Sequence, residues 1–205
     1  MELKQALEEL RKSKKRNFDQ TVDLVINLKD INLKKDNIAL VINIPHKVKD
    51  KKVCGFLTQK SDLLHTITKP EFQKYKDAKA LKTLVDEFDF FIAHASLMPS
   101  VATTFGKALG PVGKMPSPQL GVITQETSEV IKSLLERISK SIKIRAKEPS
   151  IKVAIGKESM EDDMIIPNIN AVYNAIVNSL PNKKENVKNI KIKFTMSKPV
   201  EVDIK

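Results

Sequence analysis

The stretch FDFFIAHA, Phe88 to Ala95, is a short and almost unbroken apolar run near the middle of the chain. A second run of this kind covers Val53 to Leu57. Such sequences are typical of strands that are buried on both faces, for example in a parallel sheet that is covered by helices. Helical periodicity is present over residues 78–88, 97–109 and 125–141. This alternation of strand and helix predicts a small α/β domain in the middle third of the chain.

Outside the middle third, apolar and polar residues alternate, which is typical of strands with one buried face. Segments of this kind are 22–28, 38–44, 151–155, 190–196 and 200–204, and helices are predicted at 2–14 and 165–180. Such strands, together with two helices, indicate an open sheet covered by helices on one side. The predicted fold class is therefore α/β with two domains. Residues 1–46 and 147–205 form one split α+β domain, and residues 47–146 are inserted within it.

Pro45-His46 and Glu148-Pro149 are the predicted crossing points between the two domains, because a residue before proline is held extended. Two extended strands that cross side by side would form a hinge. We therefore hypothesise that the inserted domain changes its orientation relative to the split domain. The same orientation in several crystal forms would count against this hypothesis.

The composition describes a basic protein with an apolar core. Of the 205 residues, 41% are hydrophobic, and the formal net charge of +11 attracts polyanions or acidic membranes. No apolar run approaches the roughly 18 residues that span a bilayer, and Met1 to Lys15 contains no signal-peptide core. With a single cysteine, an internal disulfide framework is excluded. We therefore expect a cytoplasmic protein without a membrane partner.

Residue patterns for catalysis, metal binding or cofactor binding are absent. The motifs HExxH, CxxC and GxSxG do not occur, and GKALGPVGKMPSP, Gly106 to Pro118, lacks the first glycine and the hydroxyl of a phosphate-binding loop. We interpret that segment as a stiff, exposed loop. His94 and Cys54 lie in predicted buried strands and are expected to be core residues. The acidic group Glu161 to Asp163 is expected to cap a helix rather than to bind a metal. Taken with the absent motifs, this predicts a protein that is not an enzyme and that binds neither a cofactor nor a metal.

Basic and polar residues occupy the free face of the predicted open sheet. In KIKFTMSKP, Lys191, Lys193 and Thr195 alternate with apolar residues and therefore share one face. Lys152 has the same place on another strand, and Arg16 precedes the first strand. Such a surface fits the phosphates and ribose hydroxyls of structured RNA, although an ordinary solvated sheet face has the same pattern.

Charge does not separate the two predicted domains. Residues 47–146 contain 17 Lys and Arg against 10 Asp and Glu, and the rest of the chain contains 19 against 15. Both domains are therefore candidates for contacts with nucleic acid.

Phe90 to Pro118, FFIAHASLMPSVATTFGKALGPVGKMPSP, resembles the signature of the ribosomal protein L1 family in its combination of DFFIA, LMP and GPxGKMPxP. Three further segments resemble that family in the same order: RNFDQTVDLVINLKDINLK at Arg16–Lys34, INIPH at Ile42–His46 and KFTMSKPVEV at Lys193–Val202. The resemblance therefore covers nearly the whole chain. It is closer to the archaeal form of the family than to the bacterial form.

The resemblance implies a split domain that binds large-subunit ribosomal RNA, a Rossmann-like insert, and a hinge between them. It also implies a place in the mobile stalk beside the ribosomal exit site, where the insert would contact transfer RNA and assist its release. Translational repression through the protein's own messenger RNA is a further implication. The free protein would be a monomer.

The RNA contacts that the resemblance and the sheet pattern imply are Arg16, Asn17, Phe18, Thr21, Lys152, Lys157, Lys193, Thr195, Met196 and Ser197. A second interpretation of Phe18 is a core residue that fixes its loop. The sequence departs from the family pattern at three positions. Ser197 stands in place of a glycine, Val112 in place of a basic residue, and Pro167 lies within a helix of the family.

Two other functions fit parts of the sequence. A nucleotide-binding enzyme would use the insert, but it needs a glycine fingerprint after the first strand, and Cys54 to Gln59 contains only Gly55. A basic scaffold that binds a protein partner would also explain the charge. Its RNA affinity would depend little on salt concentration, whereas a phosphate-binding protein releases counterions and depends on salt strongly.

Overall fold

A computed structural model describes residues 1–12, 16–31, 38–75, 77–118, 120–146 and 148–204. Contacts between residues divide the chain into two compact units. The split unit contains Met1–Lys49 and Lys140–Lys205, and the inserted unit contains Asp50–Ser139. In chain order the elements are α1 (Leu3–Arg11), β1 (Thr21–Leu28), β2 (Ala39–Asn43), β3 (Val53–Phe56), β4 (His65–Ile67), α2 (Ala78–Glu87), β5 (Phe90–His94), α3 (Met98–Val112), β6 (Val122–Ile123), α4 (Ser128–Ser139), β7 (Ser141–Arg145), β8 (Ser150–Lys157), α5 (Asp162–Ser179), β9 (Val187–Phe194) and β10 (Val200–Val202), with short 3-10 helices at Lys69–Tyr75, Ala95–Leu97 and Lys183–Asn186.

The split unit is built on an antiparallel sheet with the strand order β10-β9-β1-β8. Every second residue of β1 is buried, from Val22 to Leu28. These side chains share one core with α1 and α5, which cover the same face of the sheet. The open sheet with helices on one side is thereby confirmed, and it follows from the alternation of apolar residues along each strand.

A separate two-stranded sheet pairs β2 with β7 in the split unit. The segment 38–44 therefore does not join the four-stranded sheet, and the helix expected over 125–141 ends at Ser139. Helical periodicity does not continue beyond that residue, because Ile142 and Ile144 alternate with Lys143 and Arg145 as in a strand. Because of this pairing, residues 140–146 belong to the split unit. The sequence pattern had predicted that they belong to the insert.

The inserted unit contains a parallel sheet with the strand order β4-β3-β5-β6. All four residues of β3 are buried, as are the first four of β5, which confirms the interpretation of the two apolar runs. Phe56 packs against Phe72, Phe91 and Phe105 with ring centroids 4.7–5.8 Å apart. Aromatic residues are few in this chain, and this cluster concentrates them in one core.

The segment Gly106 to Pro118 is partly helical, which corrects its interpretation as a loop. Helix α3 continues to Val112 because Val101, Phe105 and Leu109 form one buried stripe at helical spacing. Gly113 ends the helix in the left-handed conformation, with φ 75°, and the next N–H, that of Lys114, donates to Leu109 O at 3.0 Å.

Pro167 lies inside α5, which begins at Asp162. The helix therefore does not start at the proline, and Pro167 supplies no N–H to the preceding turn. Among the described residues, no helix is both long and apolar enough to cross a membrane.

Candidate nucleic-acid interface

Three strand ends meet at one edge of the sheet in the split unit. β1 begins there, and its antiparallel neighbours β8 and β9 end there, with Thr21 opposite Lys157 and Val22 opposite Phe194. The backbone N–H of Thr195 donates to Thr21 O at 3.1 Å, and the N–H of Thr21 donates to Thr195 Oγ1 at 3.0 Å. The predicted contacts that this edge brings together are Asn17, Phe18, Thr21, Lys157, Thr195, Met196 and Ser197.

Two large apolar side chains are exposed at this edge. Phe18 is 52% exposed and Met196 is 59% exposed. The open question about Phe18 is thereby answered, because a core residue would be buried. Side chains of this type, projecting from a polar loop, offer a surface on which a base or a ribose can stack.

Lysines line the helix-free face of the sheet behind this edge. Lys152 and Lys191 flank Val25 on neighbouring strands, and Lys193 lies opposite Asp23. Lys193 Nζ also donates to Thr195 O at 3.1 Å. Lys152 and Lys193 thus have the predicted places on the free face, and Arg16 is exposed shortly before β1.

This face also contains a carboxylate that the sequence analysis did not consider. Burial raises the pKa of Asp23, and the charge of Lys193 opposes that rise. The alternation in β1 places Asp23 on the free face, so the residue could have been found from the sequence. Its charge reduces the attraction of the face for phosphate.

Two exposed polar residues next to predicted contacts, Asp19 and Ser159, were also missed. Asp19 accepts from Ser159 N at 3.0 Å and from Ser159 Oγ at 2.9 Å, and Lys157 Nζ lies 3.5 Å from Asp19 Oδ2. Burial alone would raise the pKa of Asp19, but the hydrogen bonds from Ser159 and the charge of Lys157 outweigh it, and the pKa is lowered. Gln20, beside Asp19, is almost completely buried.

Arg11 fixes the start of α5 from the end of α1. Its guanidinium donates to Asp162 Oδ1 at 2.7 Å, to Glu158 O at 2.8 Å and to Met160 O at 2.7 Å. Of the acidic group expected to cap α5, Glu161 has the N-cap position but its side chain makes no cap hydrogen bond. Asp162 and Asp163 lie in the first turn, where negative charge meets the positive end of the helix dipole.

Ser197 closes the turn after β9 with its own side chain. Its Oγ accepts from Phe194 N at 2.8 Å, and its N–H donates to Phe194 O at 3.1 Å. The described non-glycine residues with positive φ are Asp30 and Lys183, so Ser197 has an ordinary backbone conformation. Serine therefore occurs here without strain, and its hydroxyl is engaged within the turn.

In the inserted unit, the lysine of the GPVGKMP segment has a structural role. Lys114 Nζ donates to Val85 O at 2.6 Å and to Phe88 O at 2.8 Å. Both carbonyls lie at the C-terminal end of α2, where a cation is favourable. The charge of Lys114 thus stabilises the fold of the insert.

The carboxyl edge of the parallel sheet, where Rossmann-like proteins bind nucleotides, is occupied by a side chain of this chain. Glu126 accepts from Thr58 N at 2.7 Å, from Thr58 Oγ1 at 2.6 Å and from Gln59 N at 3.2 Å. Burial would raise the pKa of Glu126, but these hydrogen bonds lower it. The amides that a phosphate would need already bind a carboxylate.

The remaining candidates for chemistry have structural environments. Cys54 is buried, and burial raises the pKa of its thiol to about 12, which suits an inert packing residue. His94 is only partly buried, at the end of β5, with Nδ1 2.7 Å from Ser96 Oγ and Nε2 3.1 Å from Thr124 O. In the part of the chain that the structure describes, no cluster of three or more His, Cys, Asp or Glu could hold a metal.

Positive charge is concentrated in the split unit once the boundaries follow the structure. The inserted unit, residues 50–139, contains 12 Lys and Arg against 10 Asp and Glu. The whole chain contains 36 Lys and Arg and 25 Asp and Glu, so 24 cations and 15 anions remain for the split unit. The net charge is therefore +9 for the split unit and +2 for the inserted unit. With the predicted boundaries, charge does not separate the two domains; the difference arises because five cations at 47–49 and 140–145 belong to the split unit.

Comparison with known proteins identifies the family. A family model described as the ribosomal protein L1p/L10e family matches residues 10–198. The chain is 34% identical to large ribosomal subunit protein uL1 of Thermococcus kodakarensis, over 94% of this chain and 92% of the relative. It is 33% identical to the uL1 protein of Methanocaldococcus jannaschii, over 98% and 94%. The chain belongs to the ribosomal protein L1 family.

Proposed function

We propose that this chain, a structural constituent of the large ribosomal subunit, binds large-subunit ribosomal RNA through the sheet edge of the split unit. The observation that supports the proposal is the meeting of three strand ends that present Phe18, Met196 and Lys157 together. As a ribosomal protein it is cytoplasmic and ribosome-associated, and its family is structural rather than enzymatic.

The chemistry of the edge matches the needs of structured RNA. Exposed Phe18 and Met196 provide apolar surfaces for bases and ribose, and Lys152 and Lys193 provide charge for phosphates on the adjoining face. Structured RNA is recognised largely by shape, through phosphates and 2′-hydroxyls, and its splayed bases stack on exposed side chains. The net charge of +9 supports the same unit as the main RNA-binding part.

The contribution of the lysines is tested by the salt dependence of RNA affinity. Lys193→Ala is expected to reduce the magnitude of the slope of log affinity against log salt by about one, because one phosphate contact is lost. Lys188→Ala is the matched control, since Lys188 is exposed on the same strand but at its other end, away from the proposed edge. Equal slopes for the two variants would remove Lys193 from the interface.

We extend the proposal to the mobile stalk, with the inserted unit contacting transfer RNA at the exit site and assisting its release. The hinge at the two domain crossings belongs to this part of the proposal. Its support is the resemblance of the signature segment, Phe90 to Pro118, to the family. Cross-linking from an exposed residue such as Lys107, on ribosomes with a filled exit site, tests it. Cross-links to ribosomal RNA alone would contradict the contact.

Repression of translation through the protein's own messenger RNA is likewise proposed from the family resemblance. It requires that a segment of that messenger compete with ribosomal RNA for the same edge. Displacement of a bound ribosomal RNA fragment by the messenger leader would support repression. Failure of the leader to compete at any concentration would reject it.

A further inference from the structure

Gln20 is a buried polar residue that none of the proposed RNA contacts includes. Its side chain is 2% exposed, and it lies immediately before β1. Because residues two apart on a strand share a face, Gln20 points to the same side as Val22, toward the core. A buried amide needs hydrogen-bond partners, so the positions of those partners indicate what the residue does.

The partners of Gln20 lie on both sides of β1. Its Nε2 donates to Glu158 Oε2 at 3.1 Å, and its Oε1 accepts from the backbone N–H of Met196 at 3.1 Å. Its backbone carbonyl accepts from Glu158 N at 2.7 Å. One residue thus connects the segment after β8 with the turn after β9, across the strand between them.

Regular strand pairing ends at this level. The outermost pairs are Thr21 with Lys157 on one side and Val22 with Phe194 on the other. Beyond these pairs, the backbone hydrogen bonds from Glu158 N to Gln20 O and from Thr195 N to Thr21 O continue the attachment to β1. The side-chain amide of Gln20 adds one further hydrogen bond on each side, to Glu158 and to Met196.

We propose that Gln20 is a positioning residue for RNA binding, which holds the Met196 turn and the Lys157–Ser159 segment at a fixed spacing without touching the RNA. This inference rests on the RNA-binding function proposed above and deepens it. A preorganised surface loses less conformational freedom on binding, so a surface that has been loosened binds more weakly. The near-complete burial of Gln20 leaves it no surface for the RNA itself.

The first test replaces the amide by an apolar group of similar size. Gln20→Leu is expected to weaken binding to a large-subunit ribosomal RNA fragment about tenfold, mainly through faster dissociation. The salt slope should stay the same, because no charge changes. Gln5→Leu, at an exposed position of α1, is the matched control and should leave the affinity unchanged.

The second test exchanges donor and acceptor within the pair. Gln20→Glu places a carboxylate against Glu158 and is expected to weaken RNA binding. Adding Glu158→Gln restores the hydrogen bond with the donor on the other side, and the double variant should regain most of the affinity. The single and double variants are compared under conditions where their thermal stabilities match. If Gln20 only stabilised the fold, the two variants would then bind RNA with equal affinity.

The outcomes separate this inference from the function on which it rests. Should the unaltered chain bind an unrelated duplex as tightly as ribosomal RNA, the RNA-binding proposal itself fails. If the unaltered chain prefers ribosomal RNA and the Gln20→Leu variant binds that RNA with the same affinity, the positioning role is overturned. If Gln20→Leu does not fold, the exchanged pair decides alone: no rescue in a folded double variant rejects the role.

Discussion

At the scale of single residues, exposure and hydrogen bonding distinguish side chains more sharply than residue type does. Phe18 and Lys114 have environments that their residue types alone do not indicate. The aromatic residue, which the sequence allows in a core, is 52% exposed. The lysine of the signature segment, which resembles a surface charge, donates to two carbonyls at the end of α2.

Phe18→Ala is expected to weaken binding to ribosomal RNA and to leave stability unchanged. The loss should be about 1 to 3 kcal/mol, the usual effect of removing an aromatic side chain on which a base stacks. Titration with an RNA fragment and thermal unfolding measure the two quantities. Val112→Ala, an exposed apolar position in the inserted unit, is the control. Lower stability with unchanged affinity would show that Phe18 stabilises its loop and does not contact the RNA.

Lys114→Met should have the opposite effect. Removal of the ammonium leaves the carbonyls of Val85 and Phe88 without this donor, and the free energy of unfolding of the insert should fall by about 1 to 3 kcal/mol. Urea unfolding checks this, with Lys107→Met on the exposed side of α3 as the control. A loss of RNA affinity at unchanged stability would instead assign Lys114 to a binding surface.

The signal for Gln20 was present in the sequence but was not used. The alternation of β1, continued backward by two residues, places Gln20 on the apolar face. A polar residue on a buried face needs specific partners. The identity of those partners could not be predicted, because Glu158 and Met196 are separated from Gln20 by more than a hundred residues of chain.

At the scale of elements, periodicity predicted the strands and helices but not which strands pair. The segment 38–44 has the same alternation as the strands of the open sheet, yet β2 pairs with β7. The alternation of apolar and polar residues indicates which face of a strand is buried, but it does not indicate which other strand pairs with it. In the same way, Ile142 and Ile144 continue the apolar character of α4, and only their spacing of two separates the strand from the helix.

Helix α5 is tied to the first crossing segment by one buried side chain. Asn168 is fully buried, its Oδ1 accepts from His46 N at 2.9 Å, and its Nδ2 donates to His46 O and to Ile155 O, both at 3.0 Å. The position of His46, which lies close to the insert in the chain, thus depends on α5.

Asn168→Leu is expected to lower the free energy of unfolding of the split unit by about 3 kcal/mol, because it leaves buried backbone groups unpaired. Hydrogen exchange at the His46 amide should accelerate more than exchange in β1. Asn174→Leu, exposed on the same helix, serves as the control. An unchanged exchange rate at His46 would mean that the strand β2 is held by its sheet partner alone.

The turn before the first 3-10 helix gives the inserted unit a dependence on pH. Hydrogen bonds from Thr68 N at 2.9 Å and from Thr68 Oγ1 at 3.1 Å, together with Lys60, lower the pKa of Glu71 to about 2. A lowered pKa in the folded state means that the ionised carboxylate stabilises the fold above its ordinary pKa of 4.5. That contribution is lost as the pH falls from about 4.5 toward 2.

Glu71→Gln should therefore make the loss of stability between pH 5 and pH 2 less steep. Unfolding curves at several pH values, followed by a probe in the inserted unit, provide the measurement. Glu136→Gln, exposed on α4, is the control for removal of one carboxylate. A pH profile that is the same for both variants would reject the contribution of Glu71.

At the scale of the whole molecule, the sequence predicted two compact parts and misplaced their boundary. Contacts assign Lys47 to Lys49 and residues 140–146 to the split unit. Proline marked the crossing points in the sequence, but strand pairing between β2 and β7 determines where the split unit ends. Because those segments are rich in lysine, the corrected boundary also moves the positive charge into the part that we propose binds RNA.

We propose that the split unit recognises ribosomal RNA by structure and not by charge alone. It is tested most directly by the affinity of the full chain for a large-subunit ribosomal RNA fragment and for an unrelated duplex of equal length, at two salt concentrations. We expect the ribosomal fragment to bind roughly a thousandfold more tightly and this preference to survive the higher salt. Equal binding to both RNAs, lost together as salt rises, would contradict it and leave the net charge of +11 as the whole explanation.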